Sequence, residues 1–151
     1  MKGPKKELTT SKLLSFIKQS DSIQDVNLLF ETQPIDKPTF NGYLYTVMEK
    51  NMLTPKEIII SSGLERSYFY HILSGQKIPG RNIVIRIALC ISATLNETNN
   101  LLRLAQHSPL YSKIRRDAIL IFAITNHYTM SEANDLLQEE KETPLYKELR
   151  K

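Results

Sequence analysis

The chain has few of the residues on which disulfide-rich and fibrous proteins depend. Its 151 residues include one cysteine and only five glycines, and it has no tryptophan. Cys90 alone cannot form a disulfide within the chain, and its neighbours Ile87, Ala88 and Ile91 indicate a buried, structural thiol. With 41% hydrophobic and 24% charged residues, the composition is that of a soluble globular protein. Because its apolar residues recur at helical spacing, we expect an all-α protein.

Long hydrophobic runs are also absent. The longest, 118–124, is far too short to cross a bilayer, and no apolar segment of signal-peptide type follows the basic first residues. We therefore expect a cytoplasmic protein without a membrane partner. Residues 1–6 are expected to form a solvated tail, with an arm that touches DNA as the alternative.

Residues suited to catalysis or metal binding are few and scattered. His71, His107 and His127 show no paired spacing with one another or with Cys90, so no metal site is predicted. The chain has no glycine-rich phosphate loop, and no nucleophile is accompanied by a base and an orienting group. We expect no cofactor, no catalytic residues and no enzymatic activity.

What the chain does contain is a stretch, 53–79, with two helix signals joined by a turn so short that it must form a sharp corner. Thr54 and Glu57 form a capping box at the start of the first helix, and Pro55 loses no hydrogen bond at a first-turn position. Gly63 supplies the left-handed residue that ends this helix.

A second short helix is predicted over 66–73. Phe69, Ile72 and Leu73 share the side that faces the core, and Gly75 stops the helix. Two short helices set at a steep angle match the DNA-binding motif whose second helix enters the major groove.

The spacing of this stretch resembles the Cro/C1-type (XRE) helix-turn-helix family. The matching residues are Thr54, Glu57, Ile58, Gly63, Leu64, Arg66, Ser67, Tyr68, Ile72, Gly75, Lys77, Pro79, Ile87 and Ala88. The whole chain is similar to small firmicute-type regulators of this family that end in a Pro-Leu-Tyr-containing helical region. Two residues depart from the pattern: Pro55 stands where many members have a DNA-contacting glutamine, and Leu73 where many have a glutamate. The resemblance implies a bacterial DNA-binding domain.

The outer side of the helix over 66–73 carries the side chains that a major-groove helix needs. Arg66 can hold a guanine edge with two hydrogen bonds, and Tyr70 can contact a thymine methyl or a phosphate. Residues beside the helix are better placed for phosphates, which position a protein without reading sequence. The predicted DNA-binding residues are Lys56, Arg66, Ser67, Tyr70, His71, Ser74, Gln76 and Lys77.

The net charge of +4 is unevenly distributed. Between residues 40 and 92, six basic side chains accompany three acidic ones, whereas the charges that follow balance. This surplus suits contact with phosphates, although one of its size also occurs on ordinary surfaces.

Helical spacing also predicts the elements around the central stretch. The predicted helices are 8–19, 23–30, 40–50, 82–91 and 97–106, the last of them preceded by a capping box of Thr94 and Glu97. The acidic surroundings of the second of these helices argue against its contact with phosphates.

An internal repeat appears when the sequence is offset by 35 residues, which places 81–111 over 116–146. Identical residues include Arg81 and Arg116, Ala88 and Ala123, Asn99 and Asn134, and the segments Pro109, Leu110, Tyr111 and Pro144, Leu145, Tyr146. Thr129 and Glu132 repeat the capping box. The repeat predicts two helix hairpins, each closed by its Pro-Leu-Tyr segment; chance similarity of two amphipathic hairpins is the alternative.

The run 118–124 is apolar on every side of its predicted helix, which indicates contact with more than one surface. Either other helices of this chain cover it completely, or a second chain contributes. Two charge clusters near this helix could pair with each other, namely Lys113, Arg115 and Arg116 with Glu139, Glu140 and Glu142.

We therefore predict an all-α protein in three segments. Residues 1–39 form a tail and helices, 40–111 a five-helix Cro/C1-type helix-turn-helix domain, and 112–151 a repeated helix hairpin packed on it. The predicted function is sequence-specific regulation of transcription through double-stranded DNA, with a homodimer through the C-terminal helices. The alternative is a protein-interaction adaptor that keeps the fold without reading DNA.

Overall fold

A computed structural model of the chain describes residues 9–33, 35 and 37–147. These residues form nine α-helices and no strand, so the all-α prediction is confirmed. The helices are α1 (Thr10–Gln19), α2 (Ile23–Thr32), α3 (Phe40–Lys50), α4 (Pro55–Ser62), α5 (Arg66–Leu73), α6 (Arg81–Cys90), α7 (Leu95–Leu104), α8 (Arg115–Thr125) and α9 (Met130–Glu139). In this part of the chain no helix has the length and apolar character needed to span a membrane. The tail predicted over 1–6 lies outside the described residues.

The chain divides into two units, Met1–Lys37 and Pro38–Lys151. In the first, the Thr9 side chain caps α1 by accepting from the Lys12 amide at 3.2 Å, and Leu29 of α2 is buried. The segment boundaries expected at residues 39 and 111 stay predictions.

The second unit has one hydrophobic core to which all seven of its helices contribute. α3 packs on α5 and α7, α4 packs on α5 and α6, and α8 and α9 form a hairpin against α6 and α7. The largest fully buried side chains are Leu44, Met48, Ile58, Phe69, Ile72, Ile85, Ile87, Ile91, Leu101, Leu102, Leu120 and Leu137.

Three corners of this unit use the same device, in which a residue with positive φ ends one helix and a capping box starts the next two residues later. The positive-φ residues are Met52, Ser92 and His127, with φ of 57°, 55° and 58°. The capping boxes that follow are Thr54 with Glu57, Thr94 with Glu97 and Thr129 with Glu132. The three predicted boxes are therefore confirmed.

The Pro-Leu-Tyr segments close the two repeated hairpins, as predicted. The side-chain oxygen of Asn99 accepts from the Leu110 amide at 2.9 Å, and that of Asn134 accepts from the Leu145 amide at 2.7 Å. Both leucines are buried. In each hairpin, an asparagine of the second helix thus holds the Pro-Leu-Tyr segment that follows this helix.

The two predicted charge clusters meet only in part. Arg115 pairs with Glu140 at 2.9 Å and with Glu142 at 3.0 Å. Arg116 instead donates to the Thr143 carbonyl at 2.8 Å, and burial together with the charge of Arg81 lowers the pKa of its guanidinium. Arg116 therefore holds the segment that closes the second hairpin instead of pairing with the acidic cluster.

Cys90 is half-buried, with its sulfur 3.8 Å from the sulfur of Met130. Burial raises the pKa of its thiol more than Ser61 and Arg86 lower it, so the thiol stays protonated at neutral pH. The predicted burial of Cys90 is therefore only partial, and its structural role stays a prediction.

The corner after α4 gives a direct stability test. Gly63 has φ of 69°, and a Cβ added there would meet Arg86 Nη2 at 3.7 Å, an ordinary contact, so strain in the backbone dominates the cost. We expect Gly63→Ala to lower the free energy of unfolding by about 1 kcal/mol, measured by chemical denaturation. Gly63→Asn is the matched control and should lose less, because asparagine tolerates this conformation. Equal losses in the two variants would contradict the prediction.

Glu97 gives a pH-dependent test. Burial opposes ionisation of its carboxyl, but the Thr94 amide and the Lys50 ammonium, 2.9 Å away, outweigh that effect and hold its pKa below the usual range. The carboxylate therefore stabilises the fold above an unfolded-state pKa of about 4.3, and this contribution is lost as the pH falls through the lower folded-state pKa. We expect Glu97→Gln to lower the free energy of unfolding by about 0.5–1 kcal/mol at neutral pH.

The difference between parent and Glu97→Gln should shrink as the pH falls below about 4, which denaturation at several pH values would measure. Glu132→Gln is the matched control, since Glu132 has the same capping role 35 residues later but no ion pair among the described residues. At neutral pH, Glu132→Gln should lower the free energy of unfolding by less than Glu97→Gln does. A difference for Glu97→Gln that stays constant down to about pH 3 would exclude the proposed role of the carboxylate.

Candidate functional site

The site is built on the corner between α4 and α5, which spans residues 63–65. Ser62 is fully buried, and its hydroxyl accepts from the Leu64 amide at 3.2 Å. Arg86 of α6 donates from Nη2 to the Ser62 carbonyl at 2.7 Å. With Leu64 also buried, these contacts fix the direction in which α5 leaves the corner.

One side of α5 is anchored in the core. Phe69 and Ile72 are fully buried and Leu73 is nearly so, as their helical spacing predicts. Asn41 of α3 donates from Nδ2 to the Leu73 carbonyl at 3.2 Å, which satisfies an acceptor that the helix end would leave free. α5 is therefore held along its inner side and at its C-terminal end.

The predicted DNA-binding residues are all exposed: Lys56, Arg66, Ser67, Tyr70, His71, Ser74, Gln76 and Lys77. The structure brings four of them together on the outer side of α5, where Arg66, Ser67, Tyr70 and His71 line a shallow hollow of about 400 Å³. Lys56 lies apart in the first turn of α4, and the other three follow α5 in the chain. The eight residues thus form one central group with flanking positions.

Glu65, which was not predicted as part of this site, lines the same hollow. It is the N-cap residue of α5, and its carboxylate accepts a hydrogen bond from the Ser67 hydroxyl. A carboxylate at a helix N-terminus is favoured by the helix dipole. Its position just before the helix was a signal for such a role. The Ser67 hydroxyl therefore already donates its hydrogen bond to Glu65, and Glu65 adds a negative charge beside Arg66.

Two aromatic rings hold the cations of the site. The guanidinium of Arg66 lies over the ring of Tyr70, 5.5 Å from its centroid, and the Lys77 ammonium lies 5.7 Å from that of Tyr68. Such contacts contribute about 0.5–1 kcal/mol at exposed sites. The first pair has the i, i+4 spacing at which side chains of a helix meet, so sequence could have shown it. The rings restrict where both cations point.

Comparison with known proteins finds no matching family model, no matching curated protein and no matching solved structure. Within the described ranges, histidine, cysteine, aspartate and glutamate form no group of three able to hold a metal ion. The chemistry that the site offers is hydrogen bonding, two oriented cations and aromatic faces. A function has to be argued from these.

Proposed function

We propose that the protein is a sequence-specific DNA-binding regulator of transcription, acting in the bacterial cytoplasm, in which α4 and α5 form a Cro/C1-type helix-turn-helix within residues 40–111. The observation that carries this proposal is the division of α5 into two sides. Its inner side is buried through Phe69 and Ile72, while its outer side presents hydrogen-bonding side chains. A solvated surface helix needs no such grouping of donors, acceptors and aromatic rings.

The dimensions of α5 suit the major groove. An α-helix with its side chains is about 10–12 Å in diameter, and the major groove of B-DNA, about 12 Å wide, admits it. α5, with eight residues, is about 12 Å long, so it offers about two turns for contacts along the groove. The buried corner at Leu64 lets α5 project as a rigid element. A reading helix needs this, because base contacts tolerate little error in position.

The residues divide into two roles. Arg66, Ser67, Tyr70 and His71 face the bases, with Arg66 suited to the two acceptors of a guanine edge. The flanking residues contact phosphates: Lys56, Ser74, Gln76 and Lys77. Phosphate contacts set affinity and salt dependence, whereas base contacts set sequence preference.

Arg66→Ala and Lys77→Ala separate these two roles. DNA would be selected from a random pool by the parent protein, and binding to the enriched and to random sequences would be measured at several salt concentrations. Arg66→Ala should cost roughly 1–3 kcal/mol on the enriched site and much less on random DNA. Lys77→Ala should weaken both alike and reduce the salt slope by about one unit.

Lys113→Ala is the matched control, because it removes one exposed positive charge outside the α4–α5 surface. It should change neither the sequence preference nor the slope, and it should melt with the parent. Arg66→Ala and Lys77→Ala each lose one cation–π contact, so each should melt slightly below the parent. If the parent enriches no sequence, or if Arg66→Ala binds the enriched site normally, α5 does not read DNA. The adaptor function would then be favoured, since Pro55 already removes one contact that the resemblance implies.

Glu65→Gln tests the acidic residue beside the reading side chains. The substitution removes a negative charge near phosphates, so binding to enriched and random DNA should both strengthen, by a few-fold at low salt. Stability should fall by about 0.3–1 kcal/mol, because the N-terminal turn of α5 loses a favourable charge. Weaker binding to the enriched site alone would show that Glu65 itself contacts a base, for example a cytosine amino group.

A further inference from the structure

The two repeated hairpins, α6–α7 and α8–α9, each hold their closing segment with an arginine from the first turn. Arg81 donates from Nε to the Ser108 carbonyl at 3.2 Å and from Nη2 to the Pro109 carbonyl at 3.4 Å. Arg116 stands 35 residues later. It donates from the same two nitrogens to the Thr143 carbonyl at 2.8 Å and to the carbonyl after it at 3.4 Å. The two guanidinium groups therefore have equivalent backbone acceptors.

The two arginines differ in the side chain that each receives from the other hairpin. Asp117 offers a carboxylate to Arg81, which donates to it from Nη1 at 3.1 Å and from Nη2 at 2.9 Å. Asn82, at the corresponding position of the first hairpin, offers Arg116 only an amide oxygen, which accepts from Nη2 at 3.0 Å. A guanidinium carries five N–H donors. Among the described residues, the two on Nη1 of Arg116 have no acceptor.

The charge of Arg116 is also left without a partner. In the described part of the chain, no acidic side chain forms an ion pair with it, and Glu142 pairs with Arg115 instead, at 3.0 Å. Burial and the like charge of Arg81 lower the pKa of the Arg116 guanidinium. Its surroundings thus disfavour a positive charge, and an anion beside Nη1 would offset both effects.

Both arginines and Asp117 line a hollow of about 650 Å³ between the hairpins, which we call the arginine hollow. Its apolar walls are Pro109, Leu110, Tyr111 and Ile114. Tyr111 and Ile114 are both 52% exposed, so their side chains are accessible to a ligand. Sites for small molecules have volumes of about 300–1,000 Å³ and combine apolar walls with a few polar groups. The arginine hollow has the size and the composition of such a site.

The charges of the arginine hollow indicate the class of ligand. Arg81 and Arg116 bring two positive charges and Asp117 one negative charge, which leaves one positive charge uncompensated. A phosphate monoester carries about two negative charges at neutral pH, and Asp117 would repel the second. A carboxylate carries one, and it is the group that the equivalent arginine already holds. The charges therefore favour a monocarboxylate, and the apolar walls favour one with an apolar body.

We propose that the arginine hollow binds a small organic monocarboxylate with an aromatic body. The carboxylate accepts from Nη1 of Arg116, and the body lies against Tyr111 and Ile114. The lining residues come from α6, α8 and the segment between α7 and α8, and binding is measured without DNA. The inference therefore stands or falls independently of the proposed function. In a regulator of transcription, such a ligand would be an effector.

The test is titration of the full chain with phenylacetate, followed by calorimetry and by the NMR shifts of backbone amides. The parent should bind phenylacetate with a Kd of about 1 mM or tighter, and the amide signals of Tyr111 and Ile114 should shift. Phenylacetamide has the same body without the charge and should bind about tenfold or more weakly. Phenyl phosphate should bind no more tightly than phenylacetate.

Asn82→Asp gives Arg116 the carboxylate that Arg81 already has, without removing any packing. It should weaken phenylacetate binding about tenfold or more, because the positive charge is then neutralised within the chain. The variant should melt at or above the temperature of the parent. Asn96→Asp is the matched control, since Asn96 is exposed at the same second position of its helix, α7, and does not line the hollow. It should bind phenylacetate as the parent does.

Ile114→Thr tests the apolar wall and leaves the charges unchanged. Ile114 is the N-cap residue of α8, a position that threonine favours, so the variant should fold as the parent does. It should bind phenylacetate about threefold or more weakly, because apolar contact with the ligand is lost. Binding equal to that of the parent would overturn the placement of the aromatic body.

Three further results would overturn the proposal. One is a parent that shows no binding of phenylacetate up to about 10 mM. Another is phenylacetamide or phenyl phosphate that binds more tightly than phenylacetate, because the ligand would then not be a monocarboxylate. The third is Asn82→Asp that folds and binds phenylacetate as tightly as Asn96→Asp does, because the carboxylate would then lie away from Arg116.

Discussion

Helix α5 has eight residues, too few for a helix to be stable alone in water. It exists because Phe69, Ile72 and Leu73 are buried, and each such burial contributes about 1.5–3 kcal/mol. The hydrogen bond from Asn41 satisfies the Leu73 carbonyl at the end of the helix and ties that end to α3. The buried side of α5 thus sets the orientation of its exposed side. A change in the orientation of α5 would disturb the core and lower the free energy of unfolding.

That core in turn depends on α6–α7, which is the only hairpin of the second unit with packed neighbours on both sides among the described residues. α3 and α4 lie against one side, and α8–α9 lies against the other. The exchange of Arg81 and Arg116 across the second contact adds directional hydrogen bonds to the apolar packing. Two repeats suffice here because each has a neighbour: α3 and α4 cover one side of the first hairpin, and the first hairpin covers one side of the second. The other side of the second hairpin is left uncovered among the described residues.

Local signals made much of the fold predictable. The capping boxes, Gly63 and the helical spacing of Phe69 and Ile72 depend on residues close in sequence, and the structure has each as expected. The offset of 35 residues predicted the two hairpins and their closing segments. The exposed residues of α5 could be predicted from its apolar ones, because the residues of a helix that do not face the core face away from it.

Long-range geometry was not predictable in this way. The sequence showed an apolar helix over 118–124 but could not show that Leu120 would be buried while Phe122 stayed exposed, because that depends on how the hairpins pack. Nor did it show that Arg116 would contact Asn82 instead of the acidic cluster. At the site itself, the contact of Glu65 with Ser67 depends on side-chain conformations that spacing alone does not determine.

Arg86 joins two distant parts of the second unit. Its guanidinium donates to the carbonyl of Ser62, where α4 ends, and lies over the ring of Tyr146 at 4.9 Å from its centroid. Arg86 therefore contacts both the last segment of the described chain and the corner from which α5 starts. Thermodynamic coupling is reciprocal: if a ligand at α5 orders the corner through Arg86, then order around Tyr146 favours that ligand to the same extent.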